Sequence, residues 1–212
     1  MDAIIPRVVI TIFGIPITST VISTWVVMVI IMVSVMLIEK YLPTLSDMIG
    51  DFIADIVNSI MGVNTIDPYL PVLGALAIFI AVSNSAGMFP LISAPTSDIN
   101  TTIALSLVVF FAVHVYGIQS KGLAKYLKEF ADPIFLLPLE IVGQFSRTLS
   151  LTLRLFGNIL SGELIAAIIF SLVPLIAPLP LVGLGLLVGL LQAYVFTSLA
   201  SLYISSAVIT EK

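Results

Sequence analysis

Two arginines, Arg147 and Arg154, stand inside otherwise apolar sequence, seven residues apart and therefore on nearly one face of a helix. Extending that face in steps of three or four collects Glu140, Gln144, Arg147, Ser150, Arg154, Asn158 and Ser161. A charge at the middle of a bilayer costs at least ~2.5 to 3.5 kcal/mol on insertion scales, and such residues face a cavity, a partner or an ion path. A guanidinium stays protonated at working pH and cannot itself relay protons. It can attract a carboxylate, displace that carboxylate's proton and repel cations. No acid lies within four residues of Arg154, and Glu163, nine residues on, falls on a different face. The complementary carboxylate is therefore expected from another helix or another chain. Glu140 and Arg147 admit a second reading, an interfacial salt bridge or snorkelling pair.

The segment that must carry this stripe belongs to a membrane protein. The chain of 212 residues is 59% hydrophobic and 9% charged, with a mean hydropathy of +1.22, far from the composition of a soluble domain. Long apolar runs containing Gly and Pro predict helices, because a barrel would show alternating segments about ten residues long. With no Cys and one His, a two-His metal site and a Cys/His pair are excluded, and neither H-E-x-x-H nor G-x-x-x-x-G-K-[ST] occurs. No cofactor, metal or nucleic acid is expected, and the chain reads as non-catalytic. The N-terminus carries an acid at Asp2 and no small-residue cleavage signal, so the first span is expected to stay as an anchor.

Five spans and one surface helix are expected, an all-α integral membrane protein forming one membrane domain. The first span covers about 20–38. An amphipathic helix over 44–62 sets Asp47, Asp51 and Asp55 at every fourth residue against Ile49, Phe52, Ile53, Ile56 and Ile60. Its acidic face disfavours anionic lipid and is read either as solvated or as a docking face. A helical hairpin follows over 67–118, in segments 67–89 and 100–118. Its turn, "PLISAPTSDI", offers Asp98 and Thr101 as caps. After a short polar segment come two long apolar stretches, 134–173 and 178–209. A continuous helix of about 40 residues would be ~60 Å long, twice the hydrocarbon thickness, so the first of these is either broken near Gly157 or Gly162 or steeply tilted. Pro138 marks a kink or a first turn. Lys40, Lys121, Lys125, Lys128 and Lys212 fall on one side of a five-span chain with Arg7 opposite, which predicts an outer N-terminus and a cytoplasmic C-terminus.

"LSLTLRLFGNILSGE", with "LQAYVFTSLASLYI" and "PTSDINTTIALSL", resembles subunit a of the F-type ATP synthase, of the bacterial and plastid type. The resemblance implies a stator subunit in a bacterial plasma membrane, or alternatively an organellar one. Its implied partners are the rotating ring of c subunits, the peripheral-stalk b subunits and the other synthase subunits. It implies that Arg154 faces the ring and separates two aqueous half-channels for H⁺ or Na⁺. It further implies an outer path by Asn158, Glu163, Gln192 and Asp98, an inner exit by Glu140, Arg147 and Ser150, and steeply inclined long helices along the ring's flank. Where some relatives carry a histidine opposite the acid, this chain has Gly185, which leaves water as the expected partner of Glu163. His114 matches no motif of that family. The competing class is a self-contained secondary transporter, but no repeat relates the two halves. Gln192 can alternatively hold two helices together, and Asp98 can be only a helix cap.

Overall fold

The computed structural model describes residues 8–12, 15–63, 65–87, 94–131, 134–172 and 178–209. A short antiparallel hairpin, β1 (Val8–Ile12) and β2 (Ile15–Thr18), opens the described chain; it was not anticipated in an all-α reading. Then follow α1 (Ser19–Tyr41), α2 (Pro43–Met61), α3 (Leu70–Ala86), α4 (Ile99–Lys121), α5 (Leu123–Ala131), α6 (Leu137–Leu172) and α7 (Pro178–Val208). Single 3₁₀ turns at Pro95–Ser97 and Ile134–Leu136 precede α4 and α6. Helices α1, α4, α6 and α7 are long and apolar enough to cross a membrane, and α3 is a shorter apolar helix. The expected surface helix is α2.

The caps follow local chemistry. Pro43 opens α2 at its first turn, where the missing N–H costs nothing, and Gly62 closes it in the left-handed conformation (φ 58°). Asp98 caps α4 by accepting the Asn100 N–H at 2.9 Å, whereas Thr101 takes no part in the cap. Pro138 sits in the first turn of α6 rather than at a kink. The 36 residues of α6 run unbroken past Gly157 and Gly162, so of the two ways to accommodate its length the break is ruled out. The polar segment after α4 is itself a helix, α5, entered through Gly122 at φ 79°.

α3 and α7 pack along each other, with α4 against both α6 and α7. The core joins Ile53, Val57 and Met61 of α2, Leu73, Leu76 and Ile80 of α3, Val109 and Val113 of α4, and Leu151 and Leu155 of α6. Phe196 and Ile204 of α7 complete it. Ser83, Thr102, Ser106, Thr152, Thr197 and Ser201 are buried in the same helix contacts. Lipid tails offer helices no hydrophobic reason to associate, so small and hydroxyl side chains at the seams are the usual adhesive. The apolar face of α2 is only half covered. Asp47, Asp51 and Asp55 are exposed as expected, but Phe52 is 65% exposed rather than buried with Ile53.

Polar contacts fix the helix directions. Ser205 Oγ donates to the Met61 carbonyl at 2.8 Å, and Ser120 Oγ donates to the Val208 carbonyl at 3.4 Å, so α4 and α7 end together. The N-terminal ends of α1 and α4 also meet, through Thr20 and Asp98. Lys40, Lys121, Lys125 and Lys128 thus follow helix ends remote from that meeting point.

α5 is seated by one aromatic ring. Tyr126 is buried, and a Cβ added at Gly117 would meet its Cε2 at 2.5 Å. Gly117→Ala is therefore expected to unseat α5 at a cost of about 1–3 kcal/mol. Amide exchange should rise across Leu123–Ala131 while staying unchanged in the middle of α4.

Candidate ion-transfer site

α6 and α7 run antiparallel and are tied at two places. Asn158 Nδ2 donates to Gln192 Oε1 at 2.8 Å, and the Arg147 guanidinium lies over the Tyr203 ring, 5.7 Å from its centroid. The ties are eleven residues apart on each helix, which is three turns or about 16 Å. Arg154 lies between them on the same stripe. Leu151, Thr152 and Leu155 around it are buried, while Arg154 itself is exposed. Among the described residues it makes neither a hydrogen bond nor an ion pair; the salt bridge on α6 joins Arg147 and Glu140. A guanidinium on an apolar helix surface is too costly to leave against lipid, so that surface requires water or a partner of opposite charge.

The stripe divides when seen in three dimensions. Ser150, Arg154, Asn158 and Ser161 are all exposed, but Asn158 also reaches Gln192 on α7, and the half-buried Arg147 reaches Tyr203. At the N-terminal end of the stripe, Gln144 Nε2 donates to Glu140 Oε1 at 3.1 Å, and Arg147 Nη1 stands 4.0 Å from the same oxygen. This matches the second reading of the pair, a salt bridge, half exposed and hence worth about 0–1 kcal/mol. Across from it, burial first and the Glu140 charge second push the Tyr126 phenol above its ordinary range, so it presents a neutral hydroxyl at working pH.

At the other end, Glu163 faces the Ser97 side chain and the Ala94 backbone in the turn before α4. Beside it a buried polar chain crosses three elements. Thr96 Oγ1 donates to Asn84 Oδ1 at 2.5 Å, and Asn84 Nδ2 donates to the Gly189 carbonyl at 2.8 Å. Asp98 is buried in the same layer. Gln192 both ties α6 to α7 and keeps its Nε2 buried with no partner among the described residues. A buried amide N–H in that condition is a site for an ordered water.

The structure thus brings Asn158 together with Gln192, and Glu140 with Arg147. Glu163 of α6 faces the turn that ends at Asp98, Ser150 and Arg154 share one exposed face, and the groups on α6 occupy successive levels along it. Sequence reading missed Thr20, Asn84 and Thr96, whose partners lie on other elements. It also left His114 unplaced. His114 Nδ1 lies 2.8 Å from the Phe110 carbonyl, beside a cavity of about 320 Å³ lined by Leu107, Phe110, Ile141, Gln144, Phe145 and Thr148. Among the described residues no group of three metal-ligating side chains occurs.

Residues 15–205 match the family model described as ATP synthase A chain. The chain is 43% identical over 201 residues to "ATP synthase subunit a 2" of Bradyrhizobium sp., covering 92% of this chain and 90% of that one. It is 40% identical over 201 residues to "ATP synthase subunit a 2" of Acaryochloris marina, covering 90% and 86%. To "ATP synthase subunit a" of Nitrosospira multiformis it is 40% identical over 202 residues, covering 91% and 80%. With its apolar helices and a match that spans nearly its whole length, the chain is a multi-pass membrane protein that belongs to the ATP synthase subunit a family.

Proposed function

We propose that the chain is the ion-carrying stator of the membrane motor, a single membrane domain against whose α6 surface a ring of small hairpin subunits turns. The observation that carries this reading is Arg154, exposed on an apolar helix and without a carboxylate partner among the described residues. Each ring subunit brings a carboxylate to Arg154. An opposite charge within ~4–6 Å lowers a carboxylate's pKa by ~1–3 units, so the acid gives up its H⁺ or Na⁺ there and is reloaded after passing. The fixed positive charge also repels a free cation, which closes the direct route between the two sides.

Asp98, Glu163, Asn158 and Gln192 line the outer access path in this reading, and Ser150, Arg147 and Glu140 line the inner exit. The buried Gln192 Nε2, without a partner among the described residues, supports the outer path, because such a group favours a bound water. At 36 residues, α6 is about 54 Å long against a hydrocarbon core of ~30 Å, which supports a steep inclination along the ring. The lysines at the ends of α1 and α4 and on α5 support a cytoplasmic C-terminus and an outer N-terminus by the positive-inside rule. Peripheral-stalk subunits hold the chain against rotation, and nucleotide chemistry belongs to other subunits of the complex.

The absence of native cysteine makes a direct test available. Leu153→Cys and Ser150→Cys, on the exposed face of α6, are paired with cysteines beside the ring carboxylate in the assembled complex. Oxidation is expected to cross-link the two subunits and stop ATP-driven transport, with recovery on reduction. Ion-coupled transport by the isolated chain, with no cross-link at either position, would favour the self-contained transporter instead.

A further inference from the structure

α1 touches the rest of the molecule sparingly, and its two buried residues are Thr20 and Val27. Thr20 makes a polar contact that reaches across 78 residues of sequence. Its Oγ1 hydroxyl donates to Asp98 Oδ2 at 2.5 Å. The other oxygen, Oδ1, is occupied by the cap of α4, accepting the Asn100 backbone N–H at 2.9 Å and Asn100 Nδ2 at 3.0 Å. Among the described residues Thr20 is thus the partner of the one carboxylate oxygen that the cap leaves open. Behind it, Thr18 Oγ1 stands 2.8 Å from Thr20 Oγ1. Since the Thr20 hydrogen goes to Asp98, Thr18 is the donor in that pair while the carboxylate is ionised. Exposure falls from Thr18, which is half-buried, to the buried pair of Thr20 at 6% and Asp98 at 7%.

From this chain of hydroxyls we infer that Thr20 is a positioning residue for Asp98, and that α1 thereby forms part of the outer ion path. The inference rests on the stator reading, in which Asp98 belongs to that path. A carboxylate held only by its cap would keep Oδ2 free to turn. With Thr20 in place, Oδ2 is aimed at the seam between α1 and α4, and an ion arriving at Thr18 meets acceptors leading inward. Of the ionisable side chains on the elements packed against this turn, Glu163 faces it. Those of α1 and α4 lie towards the opposite ends of their helices, α3 has none, and Arg154 is two and a half turns away along α6.

Thr20→Val keeps the shape and removes the donor, while Thr20→Ser restores it. In vesicles holding the whole synthase, ATP synthesis is measured as the ion concentration on the Asp98 side is varied, first with H⁺ and then with Na⁺ as the probe. Thr20→Val is expected to move the half-saturating concentration by about tenfold, as for loss of a hydrogen bond to a charged group. For Na⁺ the movement is to higher concentration, because the ion loses an oxygen neighbour. Thr20→Ser should stay within about twofold of the parent, and Thr20→Val should add nothing in an Asp98→Asn background. Half-saturation on the opposite side and ATP hydrolysis in detergent should not move. An unchanged half-saturation in Thr20→Val, or a Thr20→Ser variant as impaired as Thr20→Val, overturns the assignment. The stator reading is tested separately in the same vesicles. If Arg154→Ala retains coupled pumping, that reading falls, whereas if Arg154→Ala is inert and Thr20→Val is normal, only the role of Thr20 is lost.

Discussion

Arg154→Ala is expected to lower ATP-driven ion pumping in reconstituted vesicles by about a hundredfold or more, the scale on which removing one preorganised electrostatic group acts. Two effects add. Without the guanidinium, a ring carboxylate facing α6 has no positive charge to stabilise its ionised form, so it keeps its ion and rotation stalls. The repulsive barrier between the two access paths is also gone, so passive leak should rise under a membrane potential. Arg154→Lys separates these effects. The ammonium is a compact point charge that readily loses its proton when desolvated, so coupled pumping should remain below about a tenth of the parent while leak stays low. Near-normal coupled pumping by Arg154→Ala would dispose of the proposed role. Buried neighbours Leu151 and Leu155 are unchanged by the substitution, so assembly should be normal by detergent extraction.

A second large effect is expected far from any charge. A Cβ added at Gly189 would stand 2.8 Å from the Cβ of Asn84, an atom fixed to the α3 backbone. The Gly189 carbonyl is the acceptor for Asn84 Nδ2 at 2.8 Å, and Asn84 Oδ1 in turn accepts from Thr96. Gly189→Leu must push α3 from α7 and break that chain. Overpacking costs about 1–3 kcal/mol, and each buried polar group left unpaired adds about 1–3 kcal/mol. Their sum is comparable to the whole stability of many domains. Little assembled synthase should be recovered from membranes carrying Gly189→Leu, whereas Gly189→Ala should assemble with reduced thermal stability. Equal recovery of both with the parent would show that the helices part at no cost.

The fold was legible where one physical cause acts along the chain. Hydropathy over some twenty residues placed α1, α4, α6 and α7, because a span must bury its own backbone polar groups and cover its length in hydrocarbon. The cap at Asp98 was legible because it acts two residues away. Arg154 could be read as exposed to a partner because no acid is spaced to reach it within the helix. What escaped were contacts between elements. Nothing near Thr20 in sequence distinguishes it from Thr24, and only the arrival of α4 gives it a carboxylate. Asn84 is one polar residue in an apolar run until Gly189 comes close enough to accept from it. Helix α5 was missed although Leu123, Tyr126 and Leu127 have helical spacing; nine residues are too few to outweigh the lysines between them. The outward turn of Phe52 likewise depends on α2 settling at an angle that buries Ile53 and Val57, which periodicity alone cannot choose.

The two ties between α6 and α7 also bear on how the membrane potential acts. Moving one elementary charge through 100 mV is worth about 2.3 kcal/mol, and that energy is spent where the medium is dry. If water reaches Asn158 with Gln192 from one side and Arg147 from the other, the dry interval is the three turns between them, about 16 Å rather than the ~30 Å of the bilayer. The field there is then roughly twice that of the surrounding membrane, and Arg154 stands within it. In the proposed motor, the spacing of two side-chain contacts would thus act as a voltage lens, concentrating the potential on the short path past Arg154.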